Sequence, residues 1–205
     1  MSDFTLFWVS FAIALSGAMA PGPLLTSVIY ESLQRGFKAG TLIITGHAGL
    51  ELALVVLLGG GLVKYLHQPL VLKFIFTAGA LILIYLGARM MLTSPAVSIN
   101  LNAASPKHEG LILTGITMSL ASPTWVVWWL TVGLSLLLTS QKNGLNGMMS
   151  FYFGHILADF VWYGFLSLAV CSGRKFLTEA IYRKVIFFCG LVLVGFGVWF
   201  AGGMK

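Results

Sequence analysis

Gly46-His47-Ala48-Gly49-Leu50-Glu51 returns later in the chain as Gly154-His155-Ile156-Leu157-Ala158-Asp159. Both copies read Gly-His-x-x-x-acid, and both sit in the middle of long apolar segments. The chain holds only six acidic residues and four histidines, and two of each fall in this one pattern. His47 and Glu51 are four apart, as are His155 and Asp159, so each pair shares one face of a helix. A histidine that merely caps its acidic neighbour would explain one such pair. Two pairs at membrane depth are costly to bury without purpose, because each carboxylate in hydrocarbon costs several kcal/mol unless it is neutral or paired. Such pairs can bind an ammonium, carry a proton or ligate a metal.

Working outward, 58% of the 205 residues are hydrophobic and only 9% are charged, with a mean hydropathy of +0.94. A soluble domain carries about 25% charged residues, so the composition predicts an all-α polytopic membrane protein. The net charge of +6 is read as headgroup contact and orientation rather than nucleic-acid binding. Cys171 and Cys189 form no CxxC and imply no disulfide framework. Ala18-Met19-Ala20 resembles a leader cleavage site, but Met1 to Phe7 lacks Lys and Arg and the apolar run is too long, so a retained first helix is expected.

A span needs about 20 apolar residues, and six segments qualify: roughly 4–30, 39–63, 70–92, 111–139, 145–172 and 185–202. The polar stretch around Pro95, Asn100, Asn102, Pro106, Lys107 and Glu109 separates three from three. The expected organisation is a first three-helix repeat over 1–93, a connecting loop over 94–110 and a second repeat over 111–205. Pro21 pairs with Pro123, His47 with His155 and Gly79 with Gly190, at offsets of 102, 108 and 111 residues. An odd number of spans per repeat makes the second copy enter from the opposite side, which is an inverted repeat with its working site near the midplane. Eight Lys and Arg follow the first, third and fifth spans (Arg35, Lys38, Arg89, Lys107, Arg174, Lys175, Arg183, Lys184), against four on the other side. By the positive-inside rule both termini are expected outside the cytoplasm.

Pro21-Gly22-Pro23 removes two backbone donors and frees the chain between them, so a helix cannot run straight through. Ser122-Pro123-Thr124 makes a second break at the matching place. Freed backbone groups in a membrane need partners, and broken helices lining a cavity can hold a carboxylate there. Trp125 and Trp128 follow the second break and are expected to wall the cavity, whereas Trp129 is assigned to the interfacial aromatic belt. The glycine runs read as close helix contacts. No P-loop, nucleophile elbow or HExxH is present, so neither an enzyme nor a bound cofactor is expected.

These residues together resemble the LysE/RhtB family of amino-acid exporters over nearly the whole chain. The resemblance rests on Ala18-Met19-Ala20-Pro21-Gly22-Pro23, on the stretch from Ser32-Leu33 to Ala39-Gly40, and on Ser119-Leu120-Ala121-Ser122-Pro123-Thr124-Trp125. Ser122 stands where the family usually has Asn. The Gly-His-Ile-Leu-Ala-Asp block looks like that of a LysE-type translocator subgroup. The resemblance implies proton-driven export of amino acids or related small metabolites across the cytoplasmic membrane. The expected site is then Pro21, Gly22, Pro23, Ser122, Pro123, Thr124, Trp125 and Trp128 for substrate. His47, Glu51, His155 and Asp159 would take the proton or the ammonium.

The alternative is a divalent-metal exporter using His47, Glu51, His155 and Asp159 as ligands. It needs both pairs to converge, and the chain lacks His-rich tracts, since His67 and His108 are isolated. A thiol-transfer protein would need cysteines beside the repeat prolines, where Ala20 and Ser122 stand. A purely structural membrane protein would tolerate substitution of all four ionisable residues. The expected partners are a small metabolite, protons and the lipid bilayer, with self-association compatible with all of this.

Overall fold

A computed structural model describes residues 1–19, 22–62, 69–94, 110–173 and 178–202, and these are all-helical, without strands. The first break is where the proline signal placed it. Helix α1 (Asp3–Ala18) starts on the Ser2 hydroxyl, which accepts from the Thr5 amide at 3.2 Å. It stops short of the prolines, and α2 (Pro23–Arg35) begins again with Pro23 in its first turn, where a missing N–H costs nothing. The two axes meet at 73°. Ala20 and Pro21 lie outside the described residues. Gly36 ends α2 in the left-handed region at φ 85°, a conformation that favours glycine.

Helix α3 (Lys38–Leu57) runs into a π-type turn over Leu58–Leu62, in which Gly61 takes φ 95°. Helix α4 covers Pro69–Thr93. The segment 111–139 is three helices in series. Helix α5 (Leu111–Leu120) ends before Ser122, α6 (Pro123–Trp128) restarts on it, and a π-type turn over Trp129–Gly133 leads into α7 (Leu134–Gln141). The Ser122 hydroxyl accepts from the Trp125 amide at 3.3 Å, so this residue both ends one helix and caps the next. Helices α8 (Gly144–Gly173) and α9 (Glu179–Gly202) complete the fold. Among the described residues three helical stretches are long and apolar enough to cross a membrane: Lys38–Gly61, Gly144–Gly173 and Glu179–Trp199. The bent pair α1–α2 makes a fourth.

The polarity of the molecule is that of a membrane protein. Large apolar side chains such as Phe4, Leu70, Phe74, Leu92 and Phe165 point outward, while Ser10, His47, Glu51, Ser119, Asp159 and Ser167 are buried. Lipid is as apolar as leucine, so helices in it associate by close backbone approach and polar contacts. Two crossings do this in the same way. Helix α5 lies on α3: a Cβ at Gly46 would run into the Ile112 carbonyl, and one at Gly115 into the Ile43 carbonyl. Helix α1 lies on α8: a Cβ at Gly154 would run into the Phe7 carbonyl, and Ser10 donates to the Phe151 carbonyl at 2.7 Å. Glycines 46 and 154, and likewise residues 43 and 151, stand at the same offset as the two histidines. Helices α4 and α9 pack together where Gly87 and Gly190 meet.

Along α3, His47 and Glu51 fall between two apolar clusters. One holds Leu24, Val28, Ile43, Ile44, Met118 and Tyr163. The other holds Val55, Leu58, Trp129, Leu137 and Phe151. The packing therefore fixes the polar pairs at the centre of the helix bundle.

Candidate functional site

The two repeated motifs meet. Helices α3 and α8 face each other, and the i, i+4 spacing turns both members of each pair to the shared side. His155 Nε2 lies 2.9 Å from Glu51 Oε2 and 3.4 Å from Asp159 Oδ2. His47 Nε2 lies 3.4 Å from Glu51 Oε1 and 3.5 Å from Asp159 Oδ2. All four residues are buried, Glu51 to 1% exposure. One donor atom from each falls within 4.8 Å of all the others, close enough to hold a single cation together.

The surroundings decide which atoms face inward. The Ser119 hydroxyl gives its only proton to the Gly115 carbonyl at 2.7 Å, so toward His47 Nδ1, also at 2.7 Å, it acts as acceptor. Nδ1 therefore carries a proton, a tautomer assigned from the hydrogen-bond network. Nε2 is left facing two carboxylates. It either holds a second proton or presents a lone pair to oxygens that repel it unless a cation intervenes. Glu51 Oε1 accepts from two indoles at once, Trp125 Nε1 at 2.8 Å and Trp129 Nε1 at 2.9 Å. Glu51 Oε2 and Asp159 Oδ2 have no aligned hydrogen-bond donor, and neither does His155 Nδ1 have a partner. The His155 ring is instead set by the Trp128 indole, with ring centroids 4.5 Å apart. A buried carboxylate oxygen without a donor is costly, and both of these residues line the same space.

That space is a cavity of about 160 Å³ lined by residues of both halves. From the sequence expectation it brings together Gly22, Ser122, Thr124, Trp125 and Trp128 with His47, Glu51, His155 and Asp159. Pro23 is buried in the first turn of α2 without lining the cavity, and Pro21 is outside the described residues. Of Pro123 the backbone is described, as the first residue of α6. The Ser122 and Thr124 hydroxyls are 2.9 Å apart. Helix α2 begins beside the cavity with no side-chain cap, and the first-turn amides of Leu24 and Leu25, both lining residues, have no intrahelical acceptor.

The expectation for Trp129 is corrected. It is 3% exposed and holds Glu51, rather than standing in an interfacial belt. A buried indole N–H needs an acceptor, and one turn separates it from Trp125, so both reach the same oxygen. The i, i+4 spacing of Trp125 and Trp129 carried that signal. Ser119, Tyr163 and the α1 wall of Ala14, Gly17 and Ala18 were also absent from the expected site. Ser119 was legible as a polar residue three before the second break. The α1 residues carry no chemistry and are placed only by the bend between α1 and α2.

Residues 15–203 match the family described as LysE type translocator. A Bacillus subtilis (strain 168) protein named "Putative amino acid efflux protein YcgF" is 21% identical over 197 residues, which is 95% of this chain and 94% of that protein. No solved structure matches the chain.

Proposed function

The chain belongs to the LysE type translocator family, and on that premise we propose that it is a secondary exporter of amino acids or related small metabolites, coupled to protons across the cytoplasmic membrane. The observation that carries this reading is the cavity in which two buried carboxylates, two imidazoles and both helix breaks converge. A zwitterion has one group for each end. Its ammonium meets Glu51 Oε2 and Asp159 Oδ2, the oxygens without aligned donors. Its carboxylate meets the Leu24 and Leu25 amides at the start of α2 and the Ser122 and Thr124 hydroxyls.

Proton coupling follows from competition for those oxygens. The carboxylates hold either a substrate ammonium or a proton passed through His155 or His47, whose Nε2 atoms are within 3.5 Å of them. A site that holds one or the other, and reaches each side in turn, exchanges the two. The alternation is a rocking of inverted repeats, 1–93 against 111–205. The matched crossings of α1 on α8 and α5 on α3 support that arrangement. In this reading the termini face away from the cytoplasm.

The four-donor cluster also suits a divalent cation, with zinc or manganese as cargo. The family and the relative favour the metabolite over the metal. One experiment separates the two. Purified protein is placed in liposomes containing a pH-sensitive dye, a proton gradient is imposed, and amino acids, zinc and manganese are supplied in turn. Proton flux triggered by an amino acid, and lost in both Glu51→Gln and Asp159→Asn, is expected. Flux triggered only by a metal would replace this reading with the alternative.

A further inference from the structure

We propose that the cavity accepts only small α-amino acids, about the size of alanine or serine, and that the contact between Gly17 and Trp128 sets this limit. The inference rests on the transport reading above and narrows its substrate class. A cavity of about 150 Å³ binds benzene, a ligand of roughly six non-hydrogen atoms. The cavity here measures about 160 Å³. An α-amino acid spends most of that volume on its ammonium, its carboxylate and the carbon between them. One or two side-chain atoms then fit, and the whole of leucine, phenylalanine or lysine does not.

The wall facing the substrate side chain is stiff. Trp128 stands against the His155 ring at 4.5 Å and the Trp129 ring at 5.5 Å. Beside it, α1 contributes Ala14, Gly17 and Ala18 to the cavity lining, all small. A Cβ built on Gly17 would lie 3.3 Å from Trp128 Nε1 and 3.4 Å from its Cδ1. The indole edge thus already rests on the glycine backbone. A side chain at 17 presses on Trp128, which must give by a few tenths of an ångström for alanine and more for anything larger, whereas trimming Trp128 enlarges the cavity. Gly17 and Trp128 are therefore specificity-determining positions, distinct from the carboxylates that bind the common ammonium.

The test uses the same liposomes with alanine, serine, leucine, phenylalanine and lysine, comparing wild type with Gly17→Ala, Trp128→Phe and Trp128→Ala. Wild type is expected to move alanine and serine, with leucine at least tenfold poorer in kcat/KM. Differences of about tenfold to 200-fold per methylene are usual for such pockets. Trp128→Ala is expected to raise leucine relative to alanine by tenfold or more. Gly17→Ala is expected to lower alanine transport. Trp128→Phe keeps an aromatic ring on His155, so an intermediate shift there shows that the change comes from volume rather than from misfolding. Equal transport of leucine or lysine and alanine by wild type, silenced by Glu51→Gln, would overturn the size limit while leaving the exporter reading in place. An unchanged ratio in both Trp128 variants would remove Trp128 as its cause. No flux with any amino acid would sink the exporter reading, and this inference with it.

Discussion

Glu51 ties three helical segments together, taking contacts from His155 on α8 and from Trp125 and Trp129. One of its oxygens holds two indoles and the other lies 2.9 Å from His155 Nε2. Truncation to alanine leaves the Trp125 and Trp129 indole donors without their acceptor and both imidazoles with Asp159 as their one remaining carboxylate. Glu51→Ala is expected to cost about 3–5 kcal/mol, the usual penalty for breaking a buried charged pair, seen as a lowered Tm in detergent. Glu51→Gln keeps a carbonyl for the indoles, so it should stay folded and lose transport alone. Ser119 acts one step further out, by fixing a proton on His47 Nδ1. Ser119→Ala removes a hydrogen bond worth about 1–3 kcal/mol, so transport is expected to fall about tenfold with the fold retained. Ser119→Thr, which keeps the hydroxyl, should restore it. Equal loss in both variants would assign Ser119 to packing.

At the scale of the element, the decisive residues are glycines at crossings. Gly46 and Gly115 let α3 and α5 touch backbone to backbone, and a methyl group at either meets a carbonyl that cannot move aside. Gly46→Ala is expected to destabilise by about 1–3 kcal/mol or more, as overpacking does. Because it would push α5 off α3, it should also pull Ser119 from His47. Gly49 is the control on the same helix, since nothing lies within 4 Å of a Cβ placed there. Gly49→Ala is expected to be neutral or to stabilise by up to about 1 kcal/mol through helix propensity. Thermal unfolding of the two variants side by side measures both, and equal effects would refute the crossing argument. The breaks obey the same logic in reverse. Pro23 and Ser122 start new helices after a break, and so bring α2 and the Trp125–Trp129 turn to the cavity.

For the whole molecule, the orientation argued from Lys and Arg has a direct test. Lys38 opens α3 and Lys142 follows α7, both are exposed, and the proposed topology puts them on opposite sides of the membrane. With the termini outside, Lys142→Cys should react with a membrane-impermeant maleimide in intact cells. Lys38→Cys should react only after permeabilisation. The opposite pattern would invert the molecule and, with it, the side from which the substrate enters.

The membrane class, the two breaks and the four ionisable residues that converge on the cavity were all legible in the sequence, because each is a local conflict. A carboxylate in an apolar run, or a proline in a helix, is an anomaly that a reader meets without knowing the fold. Even the pairing of His47 with Glu51 and of His155 with Asp159 follows from helix periodicity. What the sequence left open is which pairs meet across the bundle. Only the tertiary structure sets His155 closer to Glu51 than to its own helical partner Asp159, brings Ser119 to His47 from another helix, and turns Trp129 inward. It likewise makes Gly17 a cavity wall through the bend that α1 and α2 share. Those contacts depend on the distance and angle at which helices cross. That geometry is set by small residues at the crossings and by close packing summed over many weak contacts, so no short stretch of sequence encodes it alone.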